Sequence, residues 1–446
     1  MSGADLVVRG ATVVTARGVG AADIAVAGGR ITAVGPHLDV TATEEIDASG
    51  LHVFPGGIDS HVHFNEPGRT QWETIGNGSA ALAAGGYTTF IDMPLNNLPV
   101  TTDGAAFDLK LDAARHSSIV DFGFWGGLVP GNLDRLEELH GRGVMGFKAF
   151  MCQSGIDEFQ ACNRHVLREG MTRIAQLGSI LLVHAEDEEM TQRHALHHRG
   201  TSAHDFARSR LPEAELDAIF RAIEVAGETG CRLHIVHIST AAGASLLHQP
   251  REWTVDVSGE TCPHYLLYAE DDLDRLGGLG KCFPPFRSAA DRDALLAMVA
   301  DGRMPMVVSD HSPSTLALKQ GPDFFKLWGG ISGCQSTRQL LLAQERLELP
   351  VIAAATATNV ARRFSIEGKG DIAAGFDADL WLVDLAHEDV VRREDLLYRN
   401  PFSAHEGQRI RGRTVRTLVR GHTVFEAGKV VANSVGRLVT PGRAGR

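Results

Sequence analysis

The sequence predicts an α/β protein: a (β/α)8 TIM-like barrel with a small β domain formed from the N- and C-terminal segments of the chain. Two observations predict this fold. Short apolar runs alternate with alanine- and leucine-rich helical stretches through the middle of the chain, and glycine-punctuated strand patterns stand at both ends. We therefore expect a barrel over residues 55–369 and a β domain over residues 1–54 and 370–446.

The strand patterns at the two ends of the chain are alike. Near the N-terminus, ADIAVAGGRITAVG consists of two alternating apolar runs around Gly28-Gly29, which is a hairpin signal. Near the C-terminus, GFDADLWLVDL (375–385) and TVRTLVRGHTVFEAGKVV (414–431) repeat the pattern. We expect the two ends to build one β domain together.

The middle of the chain alternates between strands and helices. Strand-like runs include YTTFIDM, GVMGFKAF, SILLVHA and RLHIVHIS, and PEAELDAIFRAIEVAGETG is typical of the helical stretches between them. A doubly wound open sheet is the main alternative to a barrel. A dinucleotide-binding version of that sheet is disfavoured, because no G-x-G-x-x-G follows the first strand.

Charge and cysteine usage restrict the class of partner and the compartment. Lysine and arginine total 43 against 55 acidic residues, a net charge of −12 that argues against nucleic-acid and anionic-membrane partners. The six cysteines show no paired spacing and are typical of reduced thiols. The N-terminus lacks a signal-peptide pattern, and no run approaches the ~20 apolar residues of a membrane span. We expect a cytoplasmic protein that acts on a small molecule.

Five apolar runs end in side chains that can bind a metal ion, and such strand ends meet at the mouth of a barrel. In GGIDSHVHFNEP (56–67), His61 and His63 alternate with apolar residues, so in a strand both point to one face. The five ends supply these side chains: His61 and His63, Lys148, His184, His237 and Asp310. The alternative for a single histidine is a partly buried ring satisfied by hydrogen bonds. Agreement among five ends favours a metal site.

Lys148 differs from the other five because an ammonium group repels a divalent cation. Burial and nearby positive charge favour the neutral amine, which can add carbon dioxide to give an anionic carbamate able to bridge two metals. The alternative is an ordinary ion pair at the barrel rim. Imidazole and carboxylate ligands suit zinc, and cobalt, manganese or iron are also compatible. Two such ions would activate a bridging water toward a carbonyl–nitrogen bond, with Asp310 placed to carry the proton to the leaving nitrogen.

The ordered set H-x-H (His61, His63), Lys148, His184, His237 and Asp310 resembles the binuclear cyclic amidohydrolases, which include dihydroorotases, dihydropyrimidinases (hydantoinases) and allantoinases. The resemblance covers nearly the whole chain and implies that the terminal β domain is a β-sandwich. It also implies that Lys148 is carboxylated (N6-carboxylysine) and shared by two divalent ions. His61, His63 and Asp310 would complete the first metal site, and His184 and His237 the second. Relatives are commonly homotetramers, so the resemblance further implies a homo-oligomer.

Loop residues narrow the resemblance to the allantoinase branch of this family. Asn65 stands where dihydroorotases carry arginine and dihydropyrimidinases usually aspartate, and DMPLNNLP, LWGGISGCQST and SDHSP are similar to allantoinase segments. The implied reaction is hydrolytic opening of the hydantoin ring of allantoin to give allantoate. The resemblance implies substrate contacts for Asn65 and Asn96, whose alternative is turn formation in loops.

Two residues depart from the family pattern. Gln153 stands where hydantoinases have a tyrosine that stabilises the oxyanion, and Phe283 replaces a small residue before the Pro-Pro pair of KCFPPFR. Both are expected at the substrate pocket. The alternative to allantoin hydrolysis is therefore a hydantoinase or dihydropyrimidinase-like hydrolase that acts on another cyclic ureide. A non-catalytic scaffold relative is disfavoured because all the ligand-type residues are present, and a mononuclear deaminase because it would leave Lys148 without a role.

Overall fold

The computed structural model describes residues 3–197, 200–249 and 254–442, so the outermost residues of the expected terminal domain lie outside the described residues. The described strands are β1 (Ala4–Thr15), β2 (Gly18–Ala27), β3 (Arg30–Gly35), β4 (Ala42–Asp47), β5 (His52–Pro55), β6 (Gly57–Val62), β7 (Tyr87–Asp92), β8 (Asp121–Phe124), β9 (Gly126–Gly127), β10 (Phe147–Phe150), β11 (Ile180–His184), β12 (Arg232–Ile235), β13 (Val257–Gly259), β14 (Leu380–Val390), β15 (Arg409–Val419), β16 (His422–Glu426) and β17 (Lys429–Val430).

The helices lie almost entirely between the strands of the middle segment. They are α1 (Ile75–Ala84), α2 (Gly104–Ser117), α3 (Leu136–Arg142), α4 (Arg164–Gln176), α5 (Glu188–His197), α6 (Ala203–Ser209), α7 (Pro212–Thr229), α8 (Ala241–Leu246), α9 (Pro263–Leu267), α10 (Asp272–Leu276), α11 (Ala289–Ala300), α12 (Thr337–Leu342), α13 (Leu349–Ala353) and α14 (Asn359–Arg363). Several begin at a polar cap: the Thr74 hydroxyl accepts from the Asn77 amide at 3.1 Å, and the Asp103 carboxylate accepts from the Ala106 amide at 2.9 Å.

The two ends of the chain form a single nine-stranded sheet. Its order is β17-β16-β15-β14-β5-β1-β2-β3, with β4 also paired to β1. The expected hairpin is present: β2 and β3 pair antiparallel around Gly28 and Gly29, whose φ angles of 59° and 79° favour glycine. β5 pairs with β1 on one side and β14 on the other, so the N- and C-terminal segments interlock within one hydrogen-bonded layer.

The middle segment contains two parallel sheets, β6-β7-β8 and β9-β10-β11-β12-β13. Every residue of β6, β7, β8, β10 and β11 is buried, as in parallel sheets whose faces are both covered. The strands follow chain order in both sheets. A doubly wound sheet reverses its order at a switch point, and neither sheet does. The chain is therefore an α/β protein with parallel strands and intervening helices, in agreement with the predicted class.

Helix α1 packs directly against the segment that follows β6, next to the first histidines. Gly78 of α1 lies so close to the Phe64 ring that an added Cβ would overlap it. Phe64 is fully buried and follows His63 in sequence. The absence of a side chain at Gly78 thus lets the helix approach the segment that holds His61 and His63.

No helix within residues 3–197, 200–249 and 254–442 is both long enough and apolar enough to span a lipid bilayer.

Candidate metal centre and substrate cavity

The first three predicted ligands converge at the end of β6. His61 is the fifth residue of that strand and His63 follows it, so the two rings share a face, with centroids 5.5 Å apart. Asp310 approaches both: its Oδ1 lies 3.3 Å from His61 Nε2 and 3.5 Å from His63 Nε2. Two imidazole nitrogens and a carboxylate oxygen therefore surround one point, as a cation site requires.

The other two histidines meet at the ends of β11 and β12. His184 Nδ1 lies 3.0 Å from His237 Nε2, and the two rings are 4.6 Å apart. His237 also adjoins the first group, since its ring centroid is 5.3 Å from that of His61. All five side chains are buried. Burial is the main cause that lowers the pKa of His61, His184 and His237, so these rings are neutral and can donate nitrogen lone pairs.

Lys148 lies in β10 and is completely buried. Its Nζ has no hydrogen-bond partner within residues 3–197, 200–249 and 254–442, and it sits 5.0 Å from the centre of the Phe150 ring. Burial lowers the pKa of Lys148 to about 7, against the opposing influence of Glu260 and Asp310. The predicted alternative is an ordinary ion pair at the rim; among the described residues, this buried amine forms no salt bridge with a carboxylate.

Four of the predicted site residues have an unusual backbone conformation. The φ angles are 38° at His237, 44° at Asp310, 61° at Asn65 and 73° at Asn96. Non-glycine residues rarely adopt this left-handed region, and each such residue costs about 1–3 kcal/mol. The fold therefore maintains local backbone strain at four residues in or beside the candidate site.

Glu260, which sequence reasoning missed, is a direct partner of His61. Its Oε1 lies 2.6 Å from His61 Nδ1, its Oε2 accepts from the Ser60 hydroxyl at 3.3 Å, and His234 Nε2 is 3.1 Å away. Glu260 follows β13 directly and so stands at a strand end, but Asp256, Ser258 and Gly259 interrupt the apolar pattern before it. Burial raises the pKa of Glu260 to about 8, although Lys148 opposes the shift. The other ring nitrogen of His234, Nδ1, lies 2.7 Å from Ser258 Oγ.

Glu186, also missed, holds the ring of His184. Its Oε2 lies 2.8 Å from His184 Nε2 and accepts from Arg210 Nη1 at 2.5 Å. Burial alone would raise the pKa of this carboxyl, but Arg210 and His184 outweigh burial and lower it to about 2. Arg210 then stacks over the Phe283 ring at 4.4 Å. No local signal in the sequence pairs Glu186 with Arg210, because the contact depends on where α6 ends.

A cavity of about 290 Å³ opens beside the histidines and Asp310. Asn96 and Phe283 are among its lining residues, and the Asn96 amide reaches Ser312 Oγ at 3.5 Å. Asn65 is buried next to the cavity without lining it, and its Nδ2 donates to the Pro313 carbonyl at 3.3 Å. Gln153 is exposed and lines a neighbouring cavity that shares Phe283 with the first.

The comparisons with known proteins agree with this arrangement. The model of the amidohydrolase family matches residues 52–424. The allantoinase of Rubrobacter xylanophilus is 52% identical, covering 99% of both chains, and that of Solibacter usitatus is 49% identical, covering 98% of this chain and 97% of its own. Among solved structures, the L-hydantoinase (dihydropyrimidinase) of Arthrobacter aurescens has a TM-score of 0.95 at 33% identity, covering 98% of this chain and 100% of its own. The dihydropyrimidinase of Brevibacillus agri reaches 0.90 at 29% identity, covering 98% and 99%.

Proposed function

Because the chain belongs to the amidohydrolase family, we propose that it hydrolyses the cyclic amide bond of allantoin to give allantoate. The observation that carries this proposal is similarity along almost the entire chain to allantoinases, up to 52% identity, together with the convergence of the predicted ligands on one cavity. A second candidate, hydrolysis of another hydantoin or dihydropyrimidine ring, is favoured by the close structural likeness to L-hydantoinase, with its TM-score of 0.95.

The residues present fit a pair of divalent metal ions. His61, His63 and Asp310 offer one set of donors, His184 and His237 a second, and the unpaired Nζ of Lys148 fits a carboxylated lysine between them. The nitrogen and oxygen donors favour zinc. Bound ions of this kind lower the pKa of water and polarise a substrate carbonyl.

Two buried carboxylates orient the histidine ligands. Glu260 accepts a hydrogen bond from Nδ1 of His61, which leaves Nε2 of that ring free to face Asp310. Glu186 acts in the same way on Nε2 of His184, which leaves Nδ1 facing His237. These tautomers follow from the hydrogen-bond partners, and they direct one lone pair from each ring toward the metal positions.

Asp310 is the proton carrier in the proposed reaction. Its carboxylate lines the cavity beside His61 and His63. As water adds to the amide carbonyl, the carboxylate takes one proton and then delivers it to the leaving ring nitrogen. The carbon–nitrogen bond breaks, and the ring opens to a carboxylic acid and a free ureido nitrogen. The acid then releases the second proton of the water to solvent and becomes a carboxylate.

We propose that the substrate ring lies against Asn96 and Phe283, which line the cavity. Asn65 does not line this cavity, but its buried Oδ1 has no hydrogen-bond partner in the part of the chain that the structure describes, which supports the predicted role in binding a donor group of the substrate. Gln153, on the far side of Phe283, is a proposed contact for a polar substituent of the ring.

The proposed fold is a closed barrel beside a β-sandwich. Parallel bridges pair Val62 with His311 and Thr261 with Val307, which supports a strand at about residues 304–311 that joins the two parallel sheets. β1 exchanges β4 for β5 as its partner along its length, which supports folding of the terminal sheet over itself. We propose residues 55–369 as the barrel and residues 1–54 and 370–446 as the sandwich.

A panel of four rings tests the function. The protein is supplied with zinc and bicarbonate, and ring opening of allantoin, hydantoin, dihydrouracil and dihydroorotate is measured side by side. We expect the highest kcat/KM for allantoin and a fall of about 10²-fold or more in kcat for Asp310→Asn. Preference for hydantoin or dihydrouracil would favour the second candidate, and turnover unchanged in Asp310→Asn would remove Asp310 as the proton carrier.

A further inference from the structure

One wall of the substrate cavity is an irregular stretch of chain, residues 318–330, here named the wall segment. Its only regular structure is the end of one short 3₁₀ turn (Leu316–Lys319) and a second such turn (Phe324–Lys326). Leu318, Phe325, Leu327, Trp328, Gly329 and Gly330 all line the cavity. A segment of this kind has too few backbone ladder bonds to fix its own shape, so other groups must hold its carbonyl oxygens.

Lys281 supplies three of those bonds. Its Nζ donates to the carbonyl oxygens of Phe324, Phe325 and Leu327 at 2.8, 2.9 and 2.6 Å. The residue is 1% exposed, and its ammonium lies 4.8 Å from the centre of the Phe206 ring. Three bonds use all three hydrogens of a lysine ammonium group.

Lys319 binds the remainder of the wall segment from within. Its Nζ donates to the Trp328 carbonyl at 3.0 Å and also to the Gly330 carbonyl. Among the described residues, neither Lys319 nor Lys281 forms a salt bridge with a carboxylate, so backbone carbonyl dipoles are the main partners of both groups. Burying a lysine ammonium group without a carboxylate partner costs desolvation free energy. This arrangement is stable only if the hydrogen bonds to the carbonyl oxygens compensate for that cost.

The wall segment in turn fixes the outline of the cavity. A Cβ added at Gly329 would overlap the Phe283 ring, and one added at Gly330 would overlap Ser312. Phe283 and Ser312 both line the cavity. A displacement of the wall segment would therefore change the space available to a ring substituent, while the histidines and Asp310 lie on other elements.

We propose that Lys281 and Lys319 are positioning residues that hold the wall segment in its substrate-binding shape and so set the affinity for the ring. This proposal deepens the proposed function and rests on it for the identity of the substrate. The chemistry of bond cleavage is carried by other residues, so loss of either lysine acts on substrate binding and leaves metal binding unchanged.

The test compares Lys281→Met and Lys319→Met with Lys429→Met, which removes an exposed lysine of β17 far along the chain. Methionine keeps the length and the apolar stem while removing the donors. We expect amide hydrogen exchange in residues 318–330 to accelerate by about tenfold or more in the first two variants, because each loses two or three charge-assisted bonds. KM for allantoin should rise about tenfold with kcat within about threefold and bound metal unchanged, and Lys429→Met should match the wild type on every measure.

Unchanged exchange in residues 318–330 overturns the proposal, and so does loss of bound metal or a fall in kcat at constant KM. Exchange and metal content do not depend on turnover, so a protein that fails to open allantoin refutes the proposed function while these two readouts still decide the role of the lysines. If the methionine variants fail to fold, exchange in the wild type decides. Residues 318–330 must then exchange more slowly than loop 153–161, whose carbonyl oxygens at Ile156 and Phe159 are held by the Ser154 hydroxyl instead of a lysine, and equal rates would refute the proposal.

Discussion

Lys148 is the residue whose environment is hardest to explain without a bound partner. Its amine is fully buried and has no hydrogen-bond partner among the residues described, which is costly in any fold. The surrounding histidines and Asp310 explain its position. They can hold cations, and an anionic carbamate on this nitrogen would be attracted to those cations.

Replacing this amine tests the shared-ligand role. We expect Lys148→Ala to lower metal affinity by more than about tenfold at both positions, since the proposed carbamate contributes an oxygen to each. Metal content after dialysis against a weak chelator measures this, with Lys429→Ala as the control because its lysine is exposed in β17. A Lys148→Ala protein that retains two metal ions per chain would contradict the shared role.

Phe283 is the residue that sets the apolar side of the cavity. Its ring contacts Phe206 at 5.3 Å and lies under Arg210 at 4.4 Å, so it is held in place. We expect Phe283→Ser to change the ratio of kcat/KM values for allantoin and hydantoin by about tenfold. The two substrates differ only in the ureido substituent, which we expect to lie against the Phe283 ring. Phe220→Ser is the matched control, since Phe220 is 50% exposed on α7. Equal ratios in the wild type and Phe283→Ser would mean that the substituent does not meet this ring.

At the scale of the element, the approach of α1 to the first histidines depends on Gly78. We expect Gly78→Ala to lower the free energy of unfolding by about 1–3 kcal/mol, since the new methyl group meets the buried Phe64 ring and this outweighs the gain in helix propensity. Gly141→Ala in α3 is the control, because no atom of the described chain lies within 4 Å of its added Cβ and the propensity gain stands alone. Thermal unfolding of the two variants should therefore shift in opposite directions, and a stabilised Gly78→Ala would contradict the close packing.

Residues at strand ends could be predicted from the sequence, whereas contacts between distant segments could not. Alternation in β6 and the apolar runs that end at His184 and His237 made it possible to predict which histidines lie close together, because strand ends impose their geometry locally. Glu260 and the pair Glu186–Arg210 depend on where distant segments meet, and single acidic residues after an apolar run are too common to select. The wall segment could not be predicted for the same reason. Its shape depends on hydrogen bonds from Lys281 and Lys319 to its carbonyl oxygens, and no local turn signal indicates them.

At the scale of the whole molecule, Arg338 joins the parallel strands to the terminal sheet. Its guanidinium donates to the Gly86 carbonyl at 2.7 Å and the Pro55 carbonyl at 3.2 Å, and it stacks over Trp381 of β14 at 4.1 Å. We expect Arg338→Met to destabilise the protein by about 2–4 kcal/mol, because buried carbonyls lose their donor and the stack is lost. Denaturant unfolding measures this against Arg346→Met, which changes an exposed arginine. Equal midpoints for the two variants would show that the contact does not couple the sheets.

The interlocked terminal sheet has a consequence for synthesis of the chain. β5 is complete at Pro55, yet one of its two neighbours, β14, begins only at Leu380. On a ribosome that adds about 5–20 residues per second, the nascent N-terminal strands wait on the order of tens of seconds with one edge unpaired. An open strand edge is a template for pairing with other chains, so crowding of ribosomes on one message would favour aggregation. We expect the yield of native protein to depend on chaperones that occupy this edge until β14 emerges from the ribosome.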